Sequence, residues 1–144
     1  SSADWLFRAL AERTPFTAFD DFFFTPIYVA DFVERLGMLI DGRHRGLFHL
    51  CGRDRLSKYD FIMALAASAG FPTNAVRRGS IGDAHLLADR PRDMSLSSER
   101  FRRATGAQVP GYSDGVMRFL RDRRVPLSER FGVAQDGTSL CAPR

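Results

Sequence analysis

Apolar residues recur along this chain with two periods, and the switches between them mark its elements. Residues 3–13 bring Leu6, Leu10 and either Trp5 or Ala9 onto one face, the spacing of an amphipathic helix, with Ser2 as its N-cap. Residues 16–20 alternate, which predicts a short strand. The stretch from Asp20 to Ile40 organises the rest. It runs as a strand end through Asp21-Phe22-Phe23-Phe24, a turn at Thr25-Pro26, and a helix with Val29, Phe32, Val33, Leu36, Leu39 and Ile40 on one stripe. Pro26 donates no ladder hydrogen bond and pushes Thr25 toward extended geometry, so the strand stops there. The spacing predicts that the stripe is buried.

The same order repeats downstream. A basic turn at 42–46 leads into the Gly-bounded run Gly46-Leu47-Phe48-His49-Leu50-Cys51-Gly52, which predicts a buried strand with His49 a core or strand histidine. Ser57 caps the next helix, with Asp60 in its first turn, Phe61, Ile62, Leu65 and Ala66 inward, Gly70 as C-cap and Pro72 two residues beyond. Residues 75–81 predict a short edge strand and 82–95 an irregular segment. Ser97 or Ser95 caps a helix that carries Glu99 and Phe101 and ends at Gly106. A last helix over roughly 113–123 turns Val116, Phe119 and Leu120 inward. From Arg124 the chain is poor in apolar residues and is expected to be loose or docked.

With 144 residues, 44% hydrophobic and 26% charged, the chain suits one globular domain or a large part of one. The net charge is +4, and Lys58 is the single lysine among 21 basic residues. Arginine favours bidentate recognition of phosphate and carboxylate. The arginines are scattered apart from Arg77-Arg78, Arg102-Arg103 and residues 121–124, which points away from nucleic acid and leaves phosphate-backbone binding by the last helix as a weak reading. Cys51 and Cys141 form no disulfide framework, though one bridge stays open. His44, His49 and His85 lack partners at ligand spacing, so no metal is expected. No apolar run of membrane length and no secretory leader is visible, and a cytoplasmic, reducing setting is the expectation.

Cofactor chemistry has no local carrier. Neither a Gly-rich dinucleotide loop, nor a Gly-Lys-Ser/Thr phosphate loop, nor H-E-x-x-H occurs, and no tyrosine is followed four residues later by lysine. Asp20 and Asp21 are strand neighbours that face opposite ways, which argues against paired-carboxylate catalysis.

Taken in order, Phe19-Asp20, Thr25-Pro26-Ile27-Tyr28-Val29-Ala30-Asp31, residues 46–52, Leu56-Ser57-Lys58-Tyr59-Asp60-Phe61 and Arg90-Pro91-Arg92-Asp93-Met94-Ser95-Leu96 resemble the C-terminal half of the dTDP-4-dehydrorhamnose reductase family. These are extended short-chain dehydrogenases acting on nucleotide sugars, and the resemblance covers about residues 2–122. It implies an α/β fold, the C-terminal portion of a Rossmann-like enzyme with helices and a few short strands, incomplete without an N-terminal dinucleotide-binding half. It also implies that the Gly-rich loop and the catalytic Tyr-x-x-x-Lys belong to that half. NADP or NAD would then bind only when it is present, and this chain alone would bind neither. Implied substrate-binding residues are Asp20, Asp21, Phe22, Thr25 and Pro26 on the sugar side, and Arg90 toward the nucleotide phosphates. The family often has a polar residue and a small residue after the aspartate, where this chain has the bulkier Phe22-Phe23-Phe24.

Two functions follow as expectations. One is the substrate-binding portion of an NAD(P)-dependent nucleotide-sugar reductase of dTDP-rhamnose biosynthesis, completed by its Rossmann half or by a partner chain. The other is a non-catalytic regulatory or interaction module with the Phe-rich turn as docking surface. A homo-oligomer is compatible with both.

Overall fold

Three of the helices meet where their apolar faces predict. The structure, a computed structural model, describes residues 2–84, 88 and 90–123. Helix α1 (Ser2–Ala11) contributes Leu6 and Leu10, α3 (Lys58–Ala69) contributes Ile62, Leu65 and Ala66, and α5 (Tyr112–Asp122) contributes Tyr112 and Val116 to one core with Ala18. Burying a leucine such as Leu10 or Leu65 contributes about 1.5–3 kcal/mol each. On α1 it is Ala9 that turns inward, whereas Trp5 is exposed and meets Phe16 edge-on at 5.5 Å.

Strand β1 (Phe16–Phe19) pairs in parallel with β4 (Val76–Gly79), Phe16 opposite Val76 and Phe19 opposite Gly79. A parallel pair requires a long crossover, and α3, which packs on β1, lies within it. Strand β2 (Phe23–Phe24) pairs antiparallel with β3 (Leu56–Ser57). The other edge of Phe23 is also used: its N–H donates to the Arg92 carbonyl and its carbonyl accepts from Met94 N–H. Ser57 caps α3 as expected, its Oγ accepting from Asp60 N–H at 3.0 Å and donating to the Asp60 carboxylate at 2.7 Å. Gly70 ends the helix at φ 71°, a left-handed conformation that glycine adopts at little cost.

A second, smaller core joins α2 (Val29–Asp41) to α4 (Glu99–Thr105) through Leu39, Phe101 and Val109, with Phe48 and Leu50 packed against it. The residue at the start of α4 is neither Ser97 nor Ser95 but Ser98, and its hydroxyl does not cap the helix. It pins the neighbouring strand-like segment instead, accepting from Cys51 N–H at 2.9 Å and donating to the Cys51 carbonyl at 3.0 Å. Cys51 is buried and free, its thiol donating to the Leu96 carbonyl, while Cys141 and the tail from Arg124 lie outside the described residues.

Two expectations are overturned here. Apart from Leu39, the apolar stripe of α2 is not buried: Val29, Val33 and Ile40 are 63%, 58% and 65% exposed, and Phe32 and Leu36 are exposed as well. The inward face of α2 is set by Asp31 and Leu39. Asp31 is drawn to Arg118 of α5, and that ion pair turns the stripe outward. The run at 46–52 joins no ladder among the described residues. Phe48 and Leu50 turn inward and Leu47 and His49 outward, which is strand alternation without a neighbouring strand, so His49 is an exposed rather than a core histidine. Between this run and α2 lies an apolar groove of about 400 Å³ lined by Phe32, Leu36, Ile40, Leu47 and Phe48.

Candidate functional site

The turn between β1 and α2 is held from several sides. Asp21 receives the Ser80 hydroxyl at 2.6 Å and Ile81 N–H at 2.7 Å and pairs with Arg92 at 3.1 Å. The Ser80 hydrogen bond, then that of Ile81, holds its carboxyl below the usual aspartate range. Asp20 pairs with Arg78 at 2.7 Å on the surface of the β1–β4 pair. Thr25 Oγ1 accepts from Leu96 N–H at 3.1 Å. Gly52 lies so close to the Pro26 carbonyl that a Cβ there would stand 2.0 Å from its oxygen, so only glycine fits and the turn is clamped at its C-terminal side.

Beneath this turn opens a cavity of about 560 Å³. Its walls are aromatic: Trp5, Phe16, Phe19, Phe22, Phe24 and Phe61. Its only charged lining residues among the described residues are two cations, Lys58 and Arg90. Lys58 begins α3, and its ammonium sits over the Phe24 ring at 3.9 Å and near Phe22 at 5.7 Å. The side chain is half-buried, and desolvation lowers its pKa from the ordinary lysine value. Phe23 points elsewhere: the Arg55 guanidinium lies 3.7 Å over its ring and also bonds Asp93. Asp93 is thereby pushed down to about 2, first by the Ser95 hydroxyl and then by Arg55.

Of the residues singled out in the sequence, Phe22, Pro26 and Arg90 line this cavity, whereas Asp20, Asp21 and Thr25 are engaged in the contacts that shape the turn. Arg90 is exposed, and Asp93, a candidate ion partner for it, is committed to Arg55; Asp89 lies outside the described residues. The rings of Phe22, Phe23 and Phe24 are half-buried rather than a bare docking patch, and the bare apolar surface is on α2. Sequence reasoning missed Lys58, Trp5 and Phe61, which come to the cavity from two elements, Trp5 from α1 and Lys58 and Phe61 from α3. The one available signal was a lone lysine next to a strand-to-helix cap.

The sequence is expected to hold no G-x-S-x-G elbow, yet Gly111-Tyr112-Ser113-Asp114-Gly115 spells that pattern. It is no nucleophile elbow: it follows Pro110 rather than a strand, Ser113 sits exposed in the first turn of α5, and no histidine bonds it among the described residues. No group of three or more metal-ligating side chains occurs among the described residues. No helix among them is long and apolar enough to cross a membrane.

The sequence model of the RmlD substrate binding domain matches residues 3–125. The chain belongs to that family. Its fold is similar to that of the dTDP-4-dehydrorhamnose reductase of Bacillus anthracis solved with NADP, at 24% identity and TM-score 0.76 over 83% of this chain. It is also similar to the orthologue from Clostridium acetobutylicum, at 16% identity and TM-score 0.75 over 85% of this chain, and to the reductase of Yersinia enterocolitica, at 16% and 0.73 over 84%. The chain spans 42%, 43% and 42% of those three proteins. No curated protein sequence matches it. The family and the fold agree with the resemblance carried by the sequence: a mixed α/β member of the RmlD substrate binding domain family with the fold of part of the dTDP-4-dehydrorhamnose reductases.

Proposed function

We propose that this chain is the nucleotide-sugar-binding portion of an NAD(P)-dependent reductase whose substrate is similar to dTDP-4-dehydrorhamnose. The observation that carries the reading is the match of residues 3–125 to the substrate binding domain family, with a cavity of suitable size inside that span. An aromatic cavity lined by two cations suits a ligand that combines a planar ring with phosphate. In this reading residues 2–122 are the binding portion and 123–144 the tail. Phe22, Pro26 and Arg90 contact substrate, and Asp20, Asp21 and Thr25 fix the turn that bears them. NADP or NAD, with the groups that transfer hydride, belongs to an N-terminal dinucleotide-binding half, and the setting is cytoplasmic.

Trp5, the sole tryptophan, lies in the cavity wall, so its fluorescence reports occupancy. A saturable change on titration with dTDP-linked sugars is expected. A flat signal up to millimolar ligand overturns the reading.

The α2 stripe and the unpaired run at 47–50 are where the dinucleotide-binding half docks, a helix face and a strand edge left open side by side. Val33→Lys with Ile40→Lys should change the stability of the chain alone by no more than about 0.5 kcal/mol, because both sites are exposed. The same pair should abolish association with the cofactor half supplied as a separate chain, measured by light scattering. Unchanged association removes this assignment. The second reading, a regulatory or interaction module without turnover, draws support from the same bare stripe, which a partner protein or a second copy would cover equally well.

A further inference from the structure

We propose that Lys58 is the specificity-determining contact for the anionic group of the ligand, gripping its phosphate from the aromatic wall formed by Phe22 and Phe24. This rests on the nucleotide-sugar reading above and names a residue that reading does not require.

The argument begins from what surrounds the ammonium. Half-buried, it touches the faces of Phe24 and Phe22, and no carboxylate pairs with it among the described residues. Four of the described acids around it are already engaged: Asp60 with the Ser57 cap, Asp21 with Ser80, Ile81 and Arg92, Asp20 with Arg78, and Asp93 with Arg55 and Ser95. Ring faces attract a cation, yet they replace only part of its lost hydration. A cation held half-dry in a cavity without its own acid has unspent capacity for an incoming anion, and three rotatable N–H donors suit a phosphate oxygen. The aromatic walls around it supply stacking surface for a base and little polar competition.

Lys58 is the chain's single lysine, which makes the test direct. Reductive ¹³C-methylation of the full chain labels Lys58 and the terminal amine alone. Titration with dTDP should shift the Lys58 methyl resonance and raise its titration midpoint, because a bound anion favours the charged amine. Thymidine should leave the midpoint unmoved. Lys58→Met should weaken dTDP about tenfold or more while leaving thymidine unchanged, and Lys58→Arg should restore part of the loss. If dTDP saturates the Trp5 signal but neither moves the Lys58 resonance nor loses affinity in Lys58→Met, the role of Lys58 is overturned and the substrate reading stands. Should pyrophosphate alone bind as well as dTDP, general charge attraction replaces a built site and the proposal falls. A Trp5 signal silent to both dTDP and dTDP-linked sugar overturns the substrate reading and Lys58 with it.

Discussion

Phe101→Ala should lower the unfolding free energy by about 3–5 kcal/mol, read from urea midpoints. Phe101 is fully buried, and α4 has only seven residues. A helix that short does not hold its shape without packing, so its ring is the anchor for the whole segment. The same ring meets the cluster that seats Leu39 of α2 and supports Phe48 and Leu50. Loss of the ring therefore loosens the platform beside the groove as well as α4 itself. Phe101→Leu, which keeps most of the volume, should cost less than about 1.5 kcal/mol. Equal losses in the two variants would contradict a packing origin.

The next largest effect is expected at Arg118. Its guanidinium bonds Asp31 and Glu34, tying α5 to α2, and Asp31 is 5% exposed. One oxygen of Asp31 and the Nε atoms of Arg35 and Arg118 are buried with no hydrogen-bond partner among the described residues, so the cluster is costly to hold and costlier to break unevenly. Arg118→Met leaves Asp31 with Arg35 alone, at 3.5 Å, and should destabilise by about 2–4 kcal/mol. Asp31→Leu combined with Arg118→Met should recover much of that, since no stranded charge remains. Thermal unfolding of both variants checks it, and a double variant as unstable as the single one would refute the charge argument. The pH dependence has a definite sign. Arg118, first by its hydrogen bond, lowers the Glu34 pKa below its ordinary 4.5, so this contribution is present above about pH 4.5 and is lost as pH falls through the depressed value. The variant lacks it at every pH, so the gap between parent and Arg118→Met should narrow on acidification.

Helix existence was legible because it is local. The spacing of Leu6, Leu10, Ile62, Leu65 and Val116 states both the element and its inward face, and the Ser57 and Gly70 caps state its ends. The α2 stripe shows where such reasoning stops. Periodicity establishes that one side of a helix is apolar, but whether that side meets this chain is decided by Asp31 reaching Arg118, 87 residues away. The run at 46–52 has the same lesson: its alternation is visible, while a ladder requires a neighbour that no local pattern announces. The hydroxyl of Ser98 was unreadable as a clamp because its partner, Cys51, lies 47 residues back. At the candidate site the turn residues were found from motif order, yet Lys58 was not, because a solitary lysine beside a cap looks like ordinary surface until the Phe22 and Phe24 rings close over it.

The outward stripe of α2 has a consequence for handling the isolated polypeptide. With a net charge of +4, like-charged copies repel one another in dilute buffer, and that repulsion acts over roughly 10 Å at 0.1 M salt and about 3 Å at 1 M. Adding salt removes the electrostatic cushion while strengthening the cohesion of greasy surfaces. Preparations of this chain will therefore stay dispersed at low ionic strength and cluster as salt rises.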